Sequence, residues 1–230
     1  MDTRQVWPGL MRKAVALPSA AIALTSVIGL ATPAPTEYRT LATASMETAI
    51  PRGFLLYESE AVRKRLEKKV VRTRMQWRAS DRLEELLLID PCATGKQTDK
   101  SRRSARTITG RSVEWDGDYS EQVIVYRDEI AARAAVRNLR SDLRRCAKRN
   151  RNHFTYRVKA TPIGDEAFMV HMFKVASIDA ATVVRQGRTV AIYTLPSSGD
   201  IPGDPPKWRP VEYGGLEARK MAKKLADTPL

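Results

Sequence analysis

The clearest helical pattern in the chain is DEIAARAAVRNLRSDLRRCAKR, residues 128–149. Apolar side chains recur there at steps of three and four residues, which places them on one face of a helix. Asp128 and Glu129 open the segment and four cations close it, as the helix dipole favours at each end. The segment therefore predicts a long central helix with one buried face, formed by Ala132, Ala135, Val136, Leu139, Leu143, Cys146 and Ala147.

Segments on both sides of this helix have the pattern of strands. Upstream, residues 107–115 and 121–127 are joined across Asp116-Gly117-Asp118, and an Asp-Gly pair is typical of a tight hairpin turn. Downstream, apolar and polar residues alternate over 154–159, the period of a strand with one buried face. Further strands are predicted at 168–175, 181–184 and 189–195, with a turn at Gln186-Gly187, so this half indicates an antiparallel meander.

Two shorter helices complete the predicted fold. The first covers residues 58–72, with Ser59 as its N-cap. The second begins at Gly214 or Gly215 and ends near Ala226, with its inward side formed by Leu216, Met221, Ala222 and Leu225. The fold class is therefore α+β, a single domain with a largely antiparallel sheet packed by a long central helix, an N-terminal helix and a C-terminal helix.

Three stretches between these elements have no regular pattern. Residues 83–90 contain the apolar run Leu86-Leu87-Leu88-Ile89 before Pro91, which indicates a buried element of undetermined type. The polar residues 93–105 predict an exposed loop. Residues 196–210 carry five prolines and predict an irregular segment.

The amino-terminal residues have the order of a secretory signal. Basic residues precede an apolar run at 14–30, and small residues follow it. We expect residues 1–31 to be a signal peptide cleaved after Ala31, or after Ala34 as the second choice, and an uncleaved membrane anchor is the alternative. Residues 32–52 then form a flexible, proline-containing lead-in, and residues 53–230 form the folded domain. We expect no membrane span after the signal is removed, and a secreted or cell-wall-associated, extracellular protein.

The only cysteines are Cys92 and Cys146. In an oxidising compartment an even pair of cysteines indicates a disulfide before a metal site. We therefore expect a Cys92–Cys146 disulfide that ties the central helix to the element before the basic loop. Two unpaired buried thiols are the alternative.

The charge is strongly positive. The net charge of +14 falls to +12 when residues 1–31, with three basic residues and one acidic residue, are removed. Such a field attracts anionic polymers and anionic lipid head groups. The basic residues are scattered, so a solvated surface adapted to solubility is the competing explanation, and specific nucleic-acid binding is not expected.

No catalytic or metal-binding motif is apparent. The two histidines, His153 and His171, lie outside any recognised motif, and His171 falls in the middle of a predicted strand, where a structural role is expected. Asp165 and Glu166 are adjacent, and adjacent strand residues face opposite sides, so they do not form an acid–base couple. The tryptophans Trp77 and Trp208 are flanked by arginine and are candidates for ligand stacking, although a core role is expected more often. We therefore expect no catalytic residue, no metal and no cofactor, and the ligand-binding residues are unknown.

Three segments together carry a family resemblance: the apolar run 86–89 leading into Asp90-Pro91-Cys92, the strand and helix over 123–147, and Ile163-Gly164-Asp165-Glu166-Ala167 before a strand. In this order the chain resembles the PknH-like extracellular sensor domain family of actinobacterial envelope proteins. The resemblance implies a mixed sheet packed by helices, a ligand-binding cleft and no enzymatic activity. The chain departs from the family's fuller form because it has one cysteine pair rather than two.

These observations favour a secreted, non-catalytic, sensor-like binding module of the cell envelope that binds an anionic or amphiphilic ligand. Two alternatives stay open. One is an exported hydrolase with an unrecognised site, and the other is a cell-wall protein that binds polyanions through charge alone.

Overall fold

The computed structural model describes residues 49–69, 74–89, 99–112, 118–149, 155–173, 178–195 and 214–230. A short 3-10 turn, Leu56–Glu58, precedes the first helix. The helices are α1 (Glu60–Lys69), α2 (Glu129–Arg149) and α3 (Gly215–Asp227). The strands are β1 (Met75–Ser80), β2 (Arg102–Ser112), β3 (Asp118–Tyr126), β4 (Thr155–Ala160), β5 (Glu166–Phe173), β6 (Ile178–Gln186) and β7 (Thr189–Leu195).

The seven strands form one sheet in the order β1-β2-β3-β7-β6-β5-β4. Every neighbouring pair is antiparallel. The strands before α2 make one meander and those after it make another, and the two join where β3 pairs with β7. The predicted α+β class, with a largely antiparallel sheet and three helices, is confirmed.

Both faces of the sheet are covered. On one face, which we call the α1/α3 face, the 3-10 turn, α1 and α3 pack on apolar residues of the sheet. On the other, the α2 face, α2 and residues 83–89 do so. Side chains of strand β3 alternate between the two faces. Val123 and Val125 lie on the α1/α3 face, and Ile124 and Tyr126 lie on the α2 face. The central strands are therefore buried on both sides.

The long helix agrees with its predicted bounds and inner face. Asp128 caps it, since its side-chain Oδ1 accepts a hydrogen bond of 2.7 Å from the Ala131 amide. Ala132, Val136, Leu139, Leu143 and Cys146 are buried against the sheet. The predicted turn at Gln186-Gly187 is also present, and Gly187 has the positive φ that the turn requires.

The short helices differ from the prediction. The first begins at Glu60, two residues after the predicted start, and is described to Lys69; its predicted end at residue 72 lies outside the described residues. Glu58 stays in the 3-10 turn because its carboxylate accepts hydrogen bonds from the Leu55 amide and from Arg106. In α3, Met221, Ala222 and Leu225 are buried as predicted, but Leu216 is 43% exposed. At about 100° per residue Leu216 lies opposite the inward row, which Ala218 completes.

The first two strands also differ from the prediction. β1 was not predicted as a strand. It is a short edge strand whose sequence is mostly polar, with Met75 and Trp77 as its large apolar residues. Residues 102–105, expected in an exposed loop, are the first residues of β2, with Arg102 and Ala105 buried. Arg102 tolerates this position because its guanidinium donates a hydrogen bond of 2.8 Å to the Glu85 carbonyl. The apolar run 86–89 lies outside regular secondary structure and packs on the α2 face.

Candidate functional site

The Asp165-Glu166 segment is a structural clamp on the turn between β6 and β7. Asp165 Oδ2 accepts hydrogen bonds from the Gly187 amide (2.7 Å) and from Arg185 (3.0 Å). Gly164 has a φ of +58°, and a Cβ there would lie 2.6 Å from the Arg185 carbonyl oxygen, so the close approach requires glycine. Glu166 pairs with Arg140 of α2 at 3.5 Å. Glu166 also lies 3.9 Å from Nε of Arg185, so both carboxylates contact Arg185, and Glu166 additionally contacts α2.

His171 lies within β5 and is 1% exposed. Burial lowers the pKa of its imidazole, and the positive charge of Arg157 on the neighbouring strand adds to this effect. A neutral, enclosed imidazole cannot meet a substrate from solvent. His153, Cys92 and Trp208 lie outside the described residues.

Of the two cysteines in the predicted disulfide, only Cys146 lies among the described residues. Cys146 is 3% exposed on the inner side of α2 and is not a free thiol. Its pairing with Cys92 stays a prediction.

Trp77 has an intramolecular role. Its ring lies against Gly110 of β2, where an added Cβ would come within 2.6 Å of a ring carbon. Its indole Nε1 donates a hydrogen bond of 3.0 Å to Glu67 of α1, and the guanidinium of Arg63 stacks on the ring at 5.3 Å. The tryptophan therefore joins α1 to the sheet edge, in keeping with the intramolecular role that was expected more often than ligand stacking.

Glu121 is a buried carboxylate that sequence reasoning missed. It is fully buried on β3 and accepts hydrogen bonds from the amides of Leu56 (3.0 Å) and Tyr57 (2.6 Å) and from the Tyr193 hydroxyl (2.7 Å). Burial raises its pKa to about 7, against the lowering effect of these donors and of Lys224. Glu121 therefore connects the 3-10 turn to the sheet through hydrogen bonds, and its burial disfavours the ionised form of the carboxyl group.

A pKa near neutrality is what a general base requires, but Glu121 does not meet the geometric condition. Its oxygens are occupied by three donors, and no part of the side chain is exposed. Tyr57 lies beside it, with a buried hydroxyl that has no hydrogen-bond partner among the described residues. The signal that could have found Glu121 was the alternation of β3, which places residue 121 on the same face as Tyr119, Val123 and Val125.

A second buried carboxylate, Glu217 of α3, lies on the same α1/α3 face of the sheet as Glu121. It is 5% exposed and pairs with Arg65 of α1 at 3.0 Å. Its negative charge helps to raise the pKa of Tyr57, after burial, which is the larger cause. The pair connects the two helices across the α1/α3 face.

The four carboxylates described above, Asp165, Glu166, Glu121 and Glu217, are thus engaged within the fold, whereas many cations are not. Across the described ranges, no carboxylate lies within ion-pair distance of six exposed cations on the outer sides of α2 and α3: Arg137, Arg144, Lys148, Arg219, Lys220 and Lys223. These side chains can meet an anionic partner without first breaking an internal ion pair. Among the described residues there is no group of three or more His, Cys, Asp or Glu side chains that could hold a metal ion.

None of the helices that the structure describes is long and apolar enough to cross a membrane. The predicted signal peptide, residues 1–31, lies outside the described residues.

No protein-family model matches the chain, and no curated protein matches it. Among solved structures, the chain is similar to the crystal structure of the extracellular domain of PknH from Mycobacterium tuberculosis. The identity is 12%, the similarity covers 76% of this chain and 92% of that chain, and the TM-score is 0.48. A similarity at this level concerns the arrangement of the backbone and assigns no function.

Proposed function

We propose that the domain is a non-catalytic, extracellular binding module that holds an anionic component of the cell envelope. The observation that carries the proposal is an uneven use of charge. Asp165, Glu166, Glu121 and Glu217 are engaged by internal partners, while six exposed cations on the outer sides of α2 and α3 have no carboxylate partner in the described part of the chain. An exposed, uncompensated cation is available to a ligand anion, so the surface attracts anionic partners.

The absence of catalysis is proposed from the roles of the polar side chains. Asp165 and Glu166 bind arginines, His171 is enclosed, and Glu121 is occupied by three donors. General acid–base catalysis requires a titrating group within hydrogen-bond reach of substrate. The carboxylates are instead committed to contacts between elements, and His171 is enclosed.

An anionic ligand is favoured over an amphiphilic one. The large exposed apolar residues in the described part are Leu86, Ile130 and Leu216, which lie in an irregular segment, in α2 and in α3, respectively. Single exposed apolar residues are ordinary, whereas an amphiphile requires a contiguous apolar patch.

The extracellular location rests on the signal pattern of residues 1–31. Amino-terminal sequencing of protein recovered from the culture medium should begin at Thr32 or Pro35. Cytoplasmic protein with Met1 intact would contradict export.

The test of the function is calorimetry of the mature domain with extracted anionic wall polymers, at low and at physiological salt. We expect binding that weakens with salt but persists at physiological ionic strength, with the polymer recovered unchanged. Binding that vanishes at physiological salt would leave only nonspecific attraction. Release of a shortened or chemically altered polymer would favour the exported hydrolase.

A further inference from the structure

We propose that a linear, phosphate-bearing polymer binds along the outer side of α2, through a row formed by Arg133, Arg137, Arg144 and Lys148. We call this set the α2 basic row. The inference rests on the proposed function, since it names the surface and the ligand chemistry that such a binding module would use.

The spacing of the row makes it continuous. Successive members are separated by four, seven and four residues, close to one, two and one turns of a helix, so the four side chains lie on one side. At 1.5 Å per residue the row extends for about 22 Å. All four side chains are exposed. The surface is therefore long and narrow, a shape that suits a linear ligand lying parallel to the helix axis.

The row is held rigidly. The opposite side of α2 is buried through Ala132, Val136, Leu139 and Leu143. Arg140, between the second and third members, stacks on the Phe168 ring at 4.9 Å and pairs with Glu166. The backbone that carries the row is thus fixed to the sheet, and binding does not require the helix itself to become ordered.

The charge of the row is largely uncompensated. Within the described residues, no ion pair involves Arg137, Arg144 or Lys148. Arg133 pairs with Glu129 at 3.0 Å, but both side chains are more than half exposed, so solvent screens that pair. The other carboxylate of α2, Asp142, pairs with Arg145, which is not a member of the row.

The residue types favour phosphate groups on a flexible chain. Three of the four members are arginines, whose planar guanidinium presents paired donors to phosphate. A polymer that reaches all four cations gains from each further contact at a high effective concentration, which a short anion cannot do. Affinity should therefore increase with chain length until the ligand spans the row.

A membrane surface fits the row less well. A helix that lies on a membrane inserts an exposed apolar face between the lipids. The apolar face of α2 is buried against the sheet, and Ile130 is the one large apolar residue of the helix exposed in the described structure. Anionic vesicles are therefore a competing outcome of the test rather than the expected partner.

The test compares two variants that lose the same charge on different elements. The row variant is Arg137→Gln/Arg144→Gln/Lys148→Gln. The control is Arg219→Gln/Lys220→Gln/Lys223→Gln, whose cations are exposed on α3 but span only about 6 Å along the helix. Binding is measured for the mature domain with long-chain polyphosphate, with tripolyphosphate, and with vesicles of phosphatidylglycerol, over a range of salt. Circular dichroism checks that both variants fold.

We expect the row variant to bind long-chain polyphosphate at least about tenfold more weakly than the unmodified protein, and the slope of log affinity against log salt to fall by about two. The control should lose less than about threefold, since it changes only the overall field. Tripolyphosphate should bind weakly to all three proteins.

Three outcomes would overturn the inference. Equal losses in both variants would mean that diffuse charge attracts the polymer. A loss confined to the α3 variant would place the site on the opposite face of the sheet. Binding to vesicles but not to polyphosphate would replace the polymer with a membrane. In each of these cases the domain still binds an anion, whereas failure of the unmodified protein to bind any of the three probes or the wall polymers would refute the proposed function as well.

Discussion

The buried carboxylate of Glu121 makes the stability of the domain depend on pH. Its folded-state pKa of about 7 lies above the ordinary value of 4.5, so the folded protein holds more protons than the unfolded chain between these values. Protonation of Glu121 therefore favours the folded state at low pH. This stabilisation is lost as pH rises from about 4.5 through the folded-state pKa of about 7. A higher pH leaves the carboxylate charged and enclosed.

Replacing Glu121 by glutamine should remove this dependence. Relative to Glu121→Gln, the free energy of unfolding of the unmodified protein should fall by about 3 kcal/mol between about pH 5 and pH 8. His171 acts in the opposite sense, because its folded-state pKa is lowered, but it is present in both proteins and cancels in the comparison. Urea unfolding at the two pH values measures the difference.

Tyr193→Phe is the matched control for this prediction. It removes one donor to the carboxylate and should raise the pKa of Glu121 further, shifting the loss of stability to higher pH. Parallel pH profiles for all three proteins would mean that Glu121 does not titrate in this range.

Gly110 is required by the ring of Trp77 rather than by its own backbone conformation. Gly110→Ala should destabilise the protein by about 1–3 kcal/mol, because the new methyl group would overlap the indole. In the background Trp77→Ala the same substitution should cost much less, and a double-mutant cycle from urea unfolding measures that coupling. Equal costs in both backgrounds would show that the ring does not set the requirement.

Single residues were the hardest level to predict from the sequence. The alternation along β3 was sufficient to place Glu121 inward, but only the structure shows the Leu56 and Tyr57 amides, which lie more than sixty positions away, meeting it. For Trp77 the sequence favoured a core role over ligand stacking, but it did not indicate that Gly110 lies against the ring. Long-range contacts of this kind leave no local pattern.

At the scale of elements, the periodic spacing of apolar residues predicted secondary structure well where an element has one buried side. The pattern of residues 128–149 predicted α2 and its inner face, and the alternation over 154–159 predicted β4. It failed at the edge strand β1, where a mostly polar sequence is tolerated. It also failed at the start of β2, where Arg102 is buried and one of its guanidinium nitrogens bonds a carbonyl. The pairing of β3 with β7 depends on the packing of the whole sheet.

The hydrogen bonds that Asp165 accepts from the Gly187 amide and from Arg185 join the start of β5 to the β6–β7 turn. Asp165→Ala should destabilise the protein by about 1–3 kcal/mol, since the Gly187 amide and the buried Arg185 would each lose an acceptor. Asp118→Ala removes a more exposed ion pair with Arg111 and should cost less than about 1 kcal/mol. Thermal or urea unfolding compares the two, and equal costs would reduce the clamp to an ordinary surface contact.

At the scale of the whole molecule, the predicted disulfide is the main constraint outside the sheet and its helices. Closing the loop between Cys92 and Cys146 should stabilise the fold by about 4 kcal/mol, less any strain. Cys146→Ser should lose that amount, and reduction of the unmodified protein should reproduce the loss. Mass spectrometry of the unreduced protein should show a mass two hydrogens below that of the dithiol, together with a peptide linking the two residues. Ready reaction of native, unreduced protein with maleimide would contradict the pairing.

The composition predicted a basic domain and the amino-terminal pattern predicted export, but neither predicted which cations are exposed and unpaired. Of the 40 lysines and arginines, some are paired with carboxylates inside the fold, such as Arg106 with Glu58 and Arg185 with Asp165. Which cations remain available depends on the packing of α2 and α3 on opposite faces of the sheet. The proposed binding surface is therefore a property of the tertiary structure.

Phosphorus NMR of long-chain polyphosphate incubated with the mature domain at physiological salt tests the central claim most directly, because it reports binding and chemistry together. The account predicts that the polymer signals broaden on addition of protein, while the ratio of terminal to internal phosphate signals stays constant with time. A growing share of terminal phosphate would show that the domain cleaves the polymer, and an unchanged spectrum would show that it does not bind a phosphate polymer at all.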